Sequence, residues 1–231
     1  MKRVYKIYKM PVDIRKIHLF RSQSPEVIDH IQGSAVLKHF KVNEAISWQA
    51  DAAEFVYFIL KGEVEIYRLS PAGREQILDR LGQGGCFNLV PAFMEKVSNQ
   101  ANARALSNCD LLALGTSEFN RILKEYPEFA FTVMRFLAER LARMTDLIET
   151  LSLYSVRQRV AKFLIDEADA IEKENDIRWT QTDMAKRLGT VRDVLGRTLR
   201  KFADEGLVRF ERENIILLDR QGLEKAAMGE E

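Results

Sequence analysis

The chain has 231 residues, 46% hydrophobic and 30% charged, which allows a packed core and excludes a disordered chain. A net charge of +1 excludes a polycation, so any nucleic-acid binding must come from a local patch. Two cysteines, Cys86 and Cys109, give neither a disulfide framework nor metal-ligand spacing and fit a reducing cytoplasm, while no signal peptide shows and no apolar run approaches the ~20 residues of a membrane span.

Residues 13–32 read as short helices, IRKIHLF and then SPEVIDHIQGS, with Ser24 as N-cap and Pro25 at the first helical position. From about 35 the period changes. AVLKHFKVNEAI, EFVYFILKGEVEIYRL, EQILDRLGQGGCF and ARALSNCDLLAL are β-branched or aromatic runs, punctuated by Asp51, Gly62, Pro71-Ala-Gly73 and Gly84-Gly85. Short strands at this spacing predict an all-β sandwich or a barrel-like roll. Ser117-Glu-Phe119 starts a helical stretch, and Pro127 opens another.

Residues 127–153 are the clearest helix. Ala130, Met134, Leu137, Leu141, Met144, Ile148 and Leu151 alternate spacings of four and three, the pattern of a heptad seam between two chains. A helix packed only on its own domain would need a broader stripe. Residues 155–176 read as a second amphipathic helix and an exposed acidic turn.

The stretch WTQTDMAKRLGTVRDVLGRTLRKFADEGLVRF, 179–210, contains two Thr-x-x-Asp groups, at Thr180 and Thr190, with Gly189 just before the second. Each threonine can cap a helix, and Asp183 and Asp193 favour the positive helix ends. The pattern predicts helices over about 181–188 and 191–203, a tight turn at Gly189, and a stop at Gly206: a helix-turn-helix. LVRFERENIILLD then reads as a β-hairpin wing around Arg212-Glu213-Asn214. Between Lys186 and Lys201 stand six basic residues and one acidic, a net of +5, whereas 155–231 as a whole carries 15 basic and 16 acidic, a net of −1. The charge is concentrated on one element. Val194, Leu195, Leu199 and Phe202 supply that helix with a buried face, which leaves Arg192, Asp193 and Arg197 free to meet base edges. An arginine fork matches guanine, and a carboxylate accepts from cytosine. Gln181, Thr190, Arg200 and Lys201 are better situated for phosphates. The bland alternative is a solvated basic helix carrying an Asp193–Arg197 pair.

Over about residues 13–220 the chain resembles the Crp/Fnr transcription regulators. The resemblance rests on YFILKGEVEIYR and the glycine at 84, the long helix, and Arg192-Asp-Val-Leu-Gly-Arg197, which is similar to the family's R-E-x-x-G-R reading motif with Asp193 in place of Glu. It implies an α+β chain: a cyclic-nucleotide-binding-type β-roll sensor (1–126), a long dimerisation helix and hinge (127–153), and a winged helix-turn-helix (154–231). It further implies a cytoplasmic homodimer on double-stranded palindromic DNA with half-sites like TGTGA, switched by something bound in the roll, and contact with RNA polymerase if the protein activates.

The effector loop departs from the family pattern. Cyclic-nucleotide members read roughly G-E-L and then R-[ST]-A. Here Asn88-Leu89 and Asn99-Gln100 stand in those positions, and the polar pair that meets adenine becomes Met144-Thr145. With no cation there, a phosphate has no charge-assisted partner, so cyclic AMP is not the expected effector, and no cofactor is evident. Arg104 reads as a surface or structural arginine. Iron–sulfur ligation needs about four cysteines, and the haem sensor's Cys and His are replaced by Asn88 and Val90. His18, His30 and His39 read as surface or helix-packing residues, and Cys86 and Cys109 as buried small apolar ones. No Ser/His/Asp, metal or P-loop constellation suggests an enzyme. The competing class is a small-molecule-binding or scaffold protein with a degenerate DNA-binding head.

Overall fold

The computed structural model describes residues 13–94, 98–171, 179–211 and 214–229. It divides into two compact units, Met1–Arg140 and Leu141–Glu231. The acidic turn expected around 172–176 and the hairpin tip at Arg212 and Glu213 lie outside the described residues.

The described part of the first unit begins with two single-turn helices, Ile14–Lys16 and His18–Phe20, and then α1, Pro25–Ser34. Eight strands follow: β1 Val36–Phe40, β2 Ala45–Ser47, β3 Phe55–Lys61, β4 Val64–Leu69, β5 Glu75–Leu81, β6 Cys86–Phe87, β7 Asn102–Ala105 and β8 Cys109–Gly115. They form two antiparallel sheets, ordered β1-β8-β3-β6 and β2-β7-β4-β5. The strand β3, FVYFILK, is apolar throughout because both of its faces are covered. Tyr57 and Ile59 join Val64 and Ile66 of β4 and Leu111 and Ala113 of β8 inside the roll. Val56, Phe58 and Leu60 point the other way, into a core shared with the flanking helices.

That outer core includes α2, Thr116–Glu125, and the start of α3, Pro127–Leu153. Phe20, Phe58, Phe119 and Phe129 are fully buried there, with ring centroids 4.7–6.4 Å apart in successive pairs. Gly62 turns β3 into β4 at φ +91, and a Cβ there would stand 2.6 Å from the Asn108 carbonyl oxygen, so no side chain fits.

Glu65 of β4 is 0% exposed. Its carboxylate accepts from Arg80 Nε at 2.8 Å and from Arg104, which also donates to Glu75 at 3.0 Å and lies over the Tyr67 ring. Arg104 is therefore structural: it pairs a buried charge that would otherwise cost several kcal/mol. Cys86 and Cys109 are buried, and burial pushes the Cys86 thiol up to about 12 and the Cys109 thiol upward as well.

The second unit holds α4, Val156–Ile171; α5, Gln181–Arg187; α6, Arg192–Asp204; a hairpin of β9, Val208–Glu211, and β10, Asn214–Leu217; and α7, Arg220–Met228. Val160, Leu164, Met184, Leu195, Leu199, Phe202 and Leu223 form its core. The expected cap at Thr180 is present, its hydroxyl accepting from Asp183 N at 3.2 Å. The expected cap at Thr190 is not: α6 begins one residue later, with Val191 as N-cap. Gly189, at φ +63, bends the chain so that Thr190 N donates to Ala185 O at 2.9 Å, which keeps Thr190 in the turn rather than at the head of the helix. At Gly206, φ +75, the chain stops α6 with Leu207 N donating to Phe202 O at 2.8 Å.

Candidate nucleic-acid interface and effector loop

Successive turns of α6 bury Leu195, Leu199 and Phe202, so helical geometry sends Asp193, Arg197, Arg200 and Lys201 outward. Arg192 at the first turn is also exposed. The side chains of Arg192, Arg200 and Lys201 pair with no carboxylate among the described residues, and Arg197 donates only to the backbone carbonyl of Asp193, at 3.4 Å. The side-chain pair Asp193–Arg197 considered from spacing is absent. An exposed run of uncompensated cations creates a local positive potential that attracts a polyanion.

The structure gathers these residues into two depressions flanking α6. Gln181, Arg192, Asp193, Gly196 and Arg200 line one, closed by Phe210 of the wing. Arg197 and Lys201 line the other, with Arg157 of α4 and Lys225 of α7. Thr190 lines neither and stays half-buried in the turn. Sequence reasoning missed α7 and its Lys225. The signals were there: Asp219 caps the helix by accepting from Gly222 N at 3.0 Å, and Gly229 ends it at φ +82.

The effector loop is knitted to itself. Asn88 adopts φ +62, which asparagine tolerates where glycine is usual. Its amide donates to Phe55 O at 2.8 Å and to Asn99 Oδ1 at 2.9 Å. The Asn99 amide donates to Trp48 O at 2.9 Å, and its backbone exchanges bonds with Ala50 and Asp51. Both side chains border a cleft of about 450 Å³ with Lys38, Trp48, Phe55 and Tyr57. Leu89 does not face that cleft: it is 3% exposed within the outer core. Gln100 donates to Ser98 O at 3.0 Å. Met144 and Thr145 belong to the part of α3 in the second unit, where the Thr145 hydroxyl donates to Leu141 O at 3.1 Å.

The three histidines serve packing and surface contacts. His30 reaches Glu118 at 3.2 Å and Tyr126 at 3.4 Å, and His39 meets Asp110 at 2.6 Å. Among the described residues no cluster of His, Cys, Asp and Glu could hold a metal ion, and no helix is long and apolar enough to cross a membrane.

Residues 37–126 match the cyclic nucleotide-binding domain family, and residues 158–226 match the Crp-like helix-turn-helix domain family. The chain belongs to the Crp/Fnr family of DNA-binding transcription regulators. The Cyclic AMP receptor protein of Thermus thermophilus is 26% identical over 212 residues, covering 91% of this chain and 97% of the relative. The cAMP-activated global transcriptional regulator Vfr of Pseudomonas aeruginosa is 25% identical over 198 residues, covering 82% and 92%. Among solved structures, a crp/fnr-family transcriptional regulator from Eubacterium rectale shares 26% identity at a TM-score of 0.73, covering 93% of this chain and 99% of that one. The c-di-GMP responsive regulator CLP of Xanthomonas campestris shares the fold at 19% identity and a TM-score of 0.74, covering 84% and 99%. Within the family, the β-roll and the helix-turn-helix are thus both present here, joined by a long helix.

Proposed function

We propose that this Crp/Fnr chain is a cytoplasmic homodimer that reads a palindromic operator through α6. The carrying observation is the exposed, uncompensated cation set of Arg192, Arg197, Arg200 and Lys201 above a fully buried Leu195–Leu199–Phe202 face. Arg192 and Arg197 each take a guanine and Asp193 takes a cytosine, while Gln181, Thr190, Arg200 and Lys201 hold phosphates. By family resemblance the half-site is like TGTGA, and two copies of α6 demand half-sites about 34 Å apart.

The dimer reading rests on the exposed stripe of α3. Phe131, Met134, Leu141 and Ile148 are 67%, 49%, 69% and 65% exposed, far more apolar surface on one line than a lone helix keeps in water. Phe129 and Val133 meanwhile bury the opposite side of the same helix in the sensor core. Where the protein activates, RNA polymerase is a further partner.

Cyclic AMP is not the effector. The relatives named for cAMP do not carry their ligand over to this chain, because Leu89 and Asn99 offer neither a carboxylate for ribose nor a cation for phosphate. The amide protons of Asn88 and the Nδ2 of Asn99 are already engaged with Phe55, Asn99 and Trp48. An uncharged ligand in the neighbouring cleft, or DNA binding without any effector, fits better. Selection of bound sequences from random duplex tests the whole reading. A two-fold symmetric consensus, relaxed at one symmetric position by Arg197→Ala, supports it. Selection of no consensus refutes it. Calorimetry against millimolar cyclic AMP should give no saturable heat.

A further inference from the structure

The depression beside α6 that Arg197 and Lys201 line is walled on its far side by α7, which lies outside the helix-turn-helix itself. Its lining carries four cations, Arg157, Arg197, Lys201 and Lys225, and one carboxylate, Glu205. That carboxylate is already committed. It accepts from Arg157 at 3.0 and 2.6 Å, and the same guanidinium lies over the Phe202 ring with its central carbon 4.6 Å from the centroid. Lys201 and Lys225 have no hydrogen-bond or ion-pair partner among the described residues. The cleft therefore has a net charge of +3 and no acidic group left over to neutralise it.

The wall is rigid. Arg220 of α7 donates to both carboxylate oxygens of Asp169 on α4, at 2.6 and 3.1 Å, and its Nε donates to Glu224 at 3.0 Å. Leu223 and Ala226 are buried in the core of the unit. Gly222 lets the helix press against the start of the wing: a Cβ there would stand 2.4 Å from Leu207 Cδ2. A lysine held on such an element projects from a fixed point, so ordering it on an anion costs little entropy beyond its own stem. Residue 225 is also one turn and one residue past residue 220, the residue that clamps the helix.

We propose that this cleft seats a DNA phosphate, and that Lys225 of α7 supplies a backbone contact added to those of the helix-turn-helix. The proposal rests on the DNA-binding reading above. It follows because Arg197 and Lys201 belong to both the groove-facing surface of α6 and this cleft, so a duplex engaged by α6 runs its phosphates past Lys225. The contact is blind to sequence and widens the footprint by one phosphate per protomer.

The test uses the full-length protein with the neutral variants K225Q and K225M and the charge-keeping variant K225R. Affinity for the selected operator and for a random duplex of equal length is measured across about 50–200 mM salt. Each phosphate contact contributes a slope of about 0.9 in log K against log salt, so losing two per dimer flattens it by about 1.8, up to about sixty-fold in affinity near 0.1 M. The neutral variants should show that flattening equally on both duplexes, and K225R should keep the wild-type slope. K225M stands in if K225Q alone loses its melting transition. Wild-type slopes in the neutral variants overturn the proposal, and so does a loss confined to the operator. If inorganic phosphate stabilises the wild type but not K225Q against heat while the DNA slopes agree, the cleft belongs to a free anion and the proposal is again overturned. A wild type that binds no duplex at all sinks the DNA-binding reading itself, a different result from any of these.

Discussion

Leu141→Lys separates assembly from folding. Leu141 is 69% exposed in the single chain, so the substitution should change the stability of one protomer by no more than about 0.5 kcal/mol. In a dimer the same surface is covered. Fully burying a leucine is worth about 2 kcal/mol, and with 69% still to bury each copy contributes roughly 1.4 kcal/mol to association. Two copies per dimer make about 3 kcal/mol, about a hundred-fold in the dissociation constant, before the two opposed ammonium groups add their repulsion. Sedimentation across a concentration series should therefore show the variant as monomer where the wild type is dimer, with an unchanged melting curve at low concentration. A variant that sediments as the wild type does would move the interface off this stripe.

Lys201→Ala should weaken operator and random duplex alike and flatten the salt slope by about 0.9 per protomer, whereas Arg197→Ala should cost about 1–3 kcal/mol on the operator and blur one base position; band shifts on both duplexes distinguish them. Iodoacetamide at pH 8 should label neither cysteine until the chain is unfolded, since burial raises both thiols; fast labelling of the native protein would contradict the buried sites. The Arg121 hydrogen bonds, with those of Ser34 and His30, hold the Glu118 carboxyl down at about 2. A carboxylate lowered in the folded state stabilises above its unfolded pKa and loses that contribution as pH falls through the folded one. The melting-temperature gap between wild type and Glu118→Gln should thus be full above about pH 5 and close toward pH 2, and a pH-independent gap would mean the bonds do not act through charge.

Local signals carried much of this structure. Ser24-Pro25 fixes the start of α1, the two-sided apolar run of β3 fixes the centre of a sheet, and Thr180 caps α5. What failed was decided by packing and turn contacts that periodicity does not encode. The heptad series chose Ala130 and Leu137, which pack on the outer core of the first unit, and passed over Phe131. One helix that buries one side and keeps apolar residues exposed on another carries two overlapping stripes, and periodicity alone does not assign them. The start of α6 slipped by one residue because a turn bond to Ala185 outcompeted a threonine cap. In the effector loop the residue types were legible, but not the fact that two asparagines satisfy each other.

That mutual satisfaction has a consequence for how such a loop can change. Installing the cyclic-nucleotide pattern needs two substitutions, Leu89→Glu and Asn99→Arg. Yet Leu89 lies in an apolar core with Phe58 and Phe119, so the new carboxylate would arrive without water or partner, at a cost of several kcal/mol. Replacing Asn99 would at the same stroke cut the loop loose from Trp48 and Asn88. Each step is damaging before the other has been taken. A designer who wants ligand chemistry here must therefore rebuild the hydrophobic wall behind the loop before touching the residues in it.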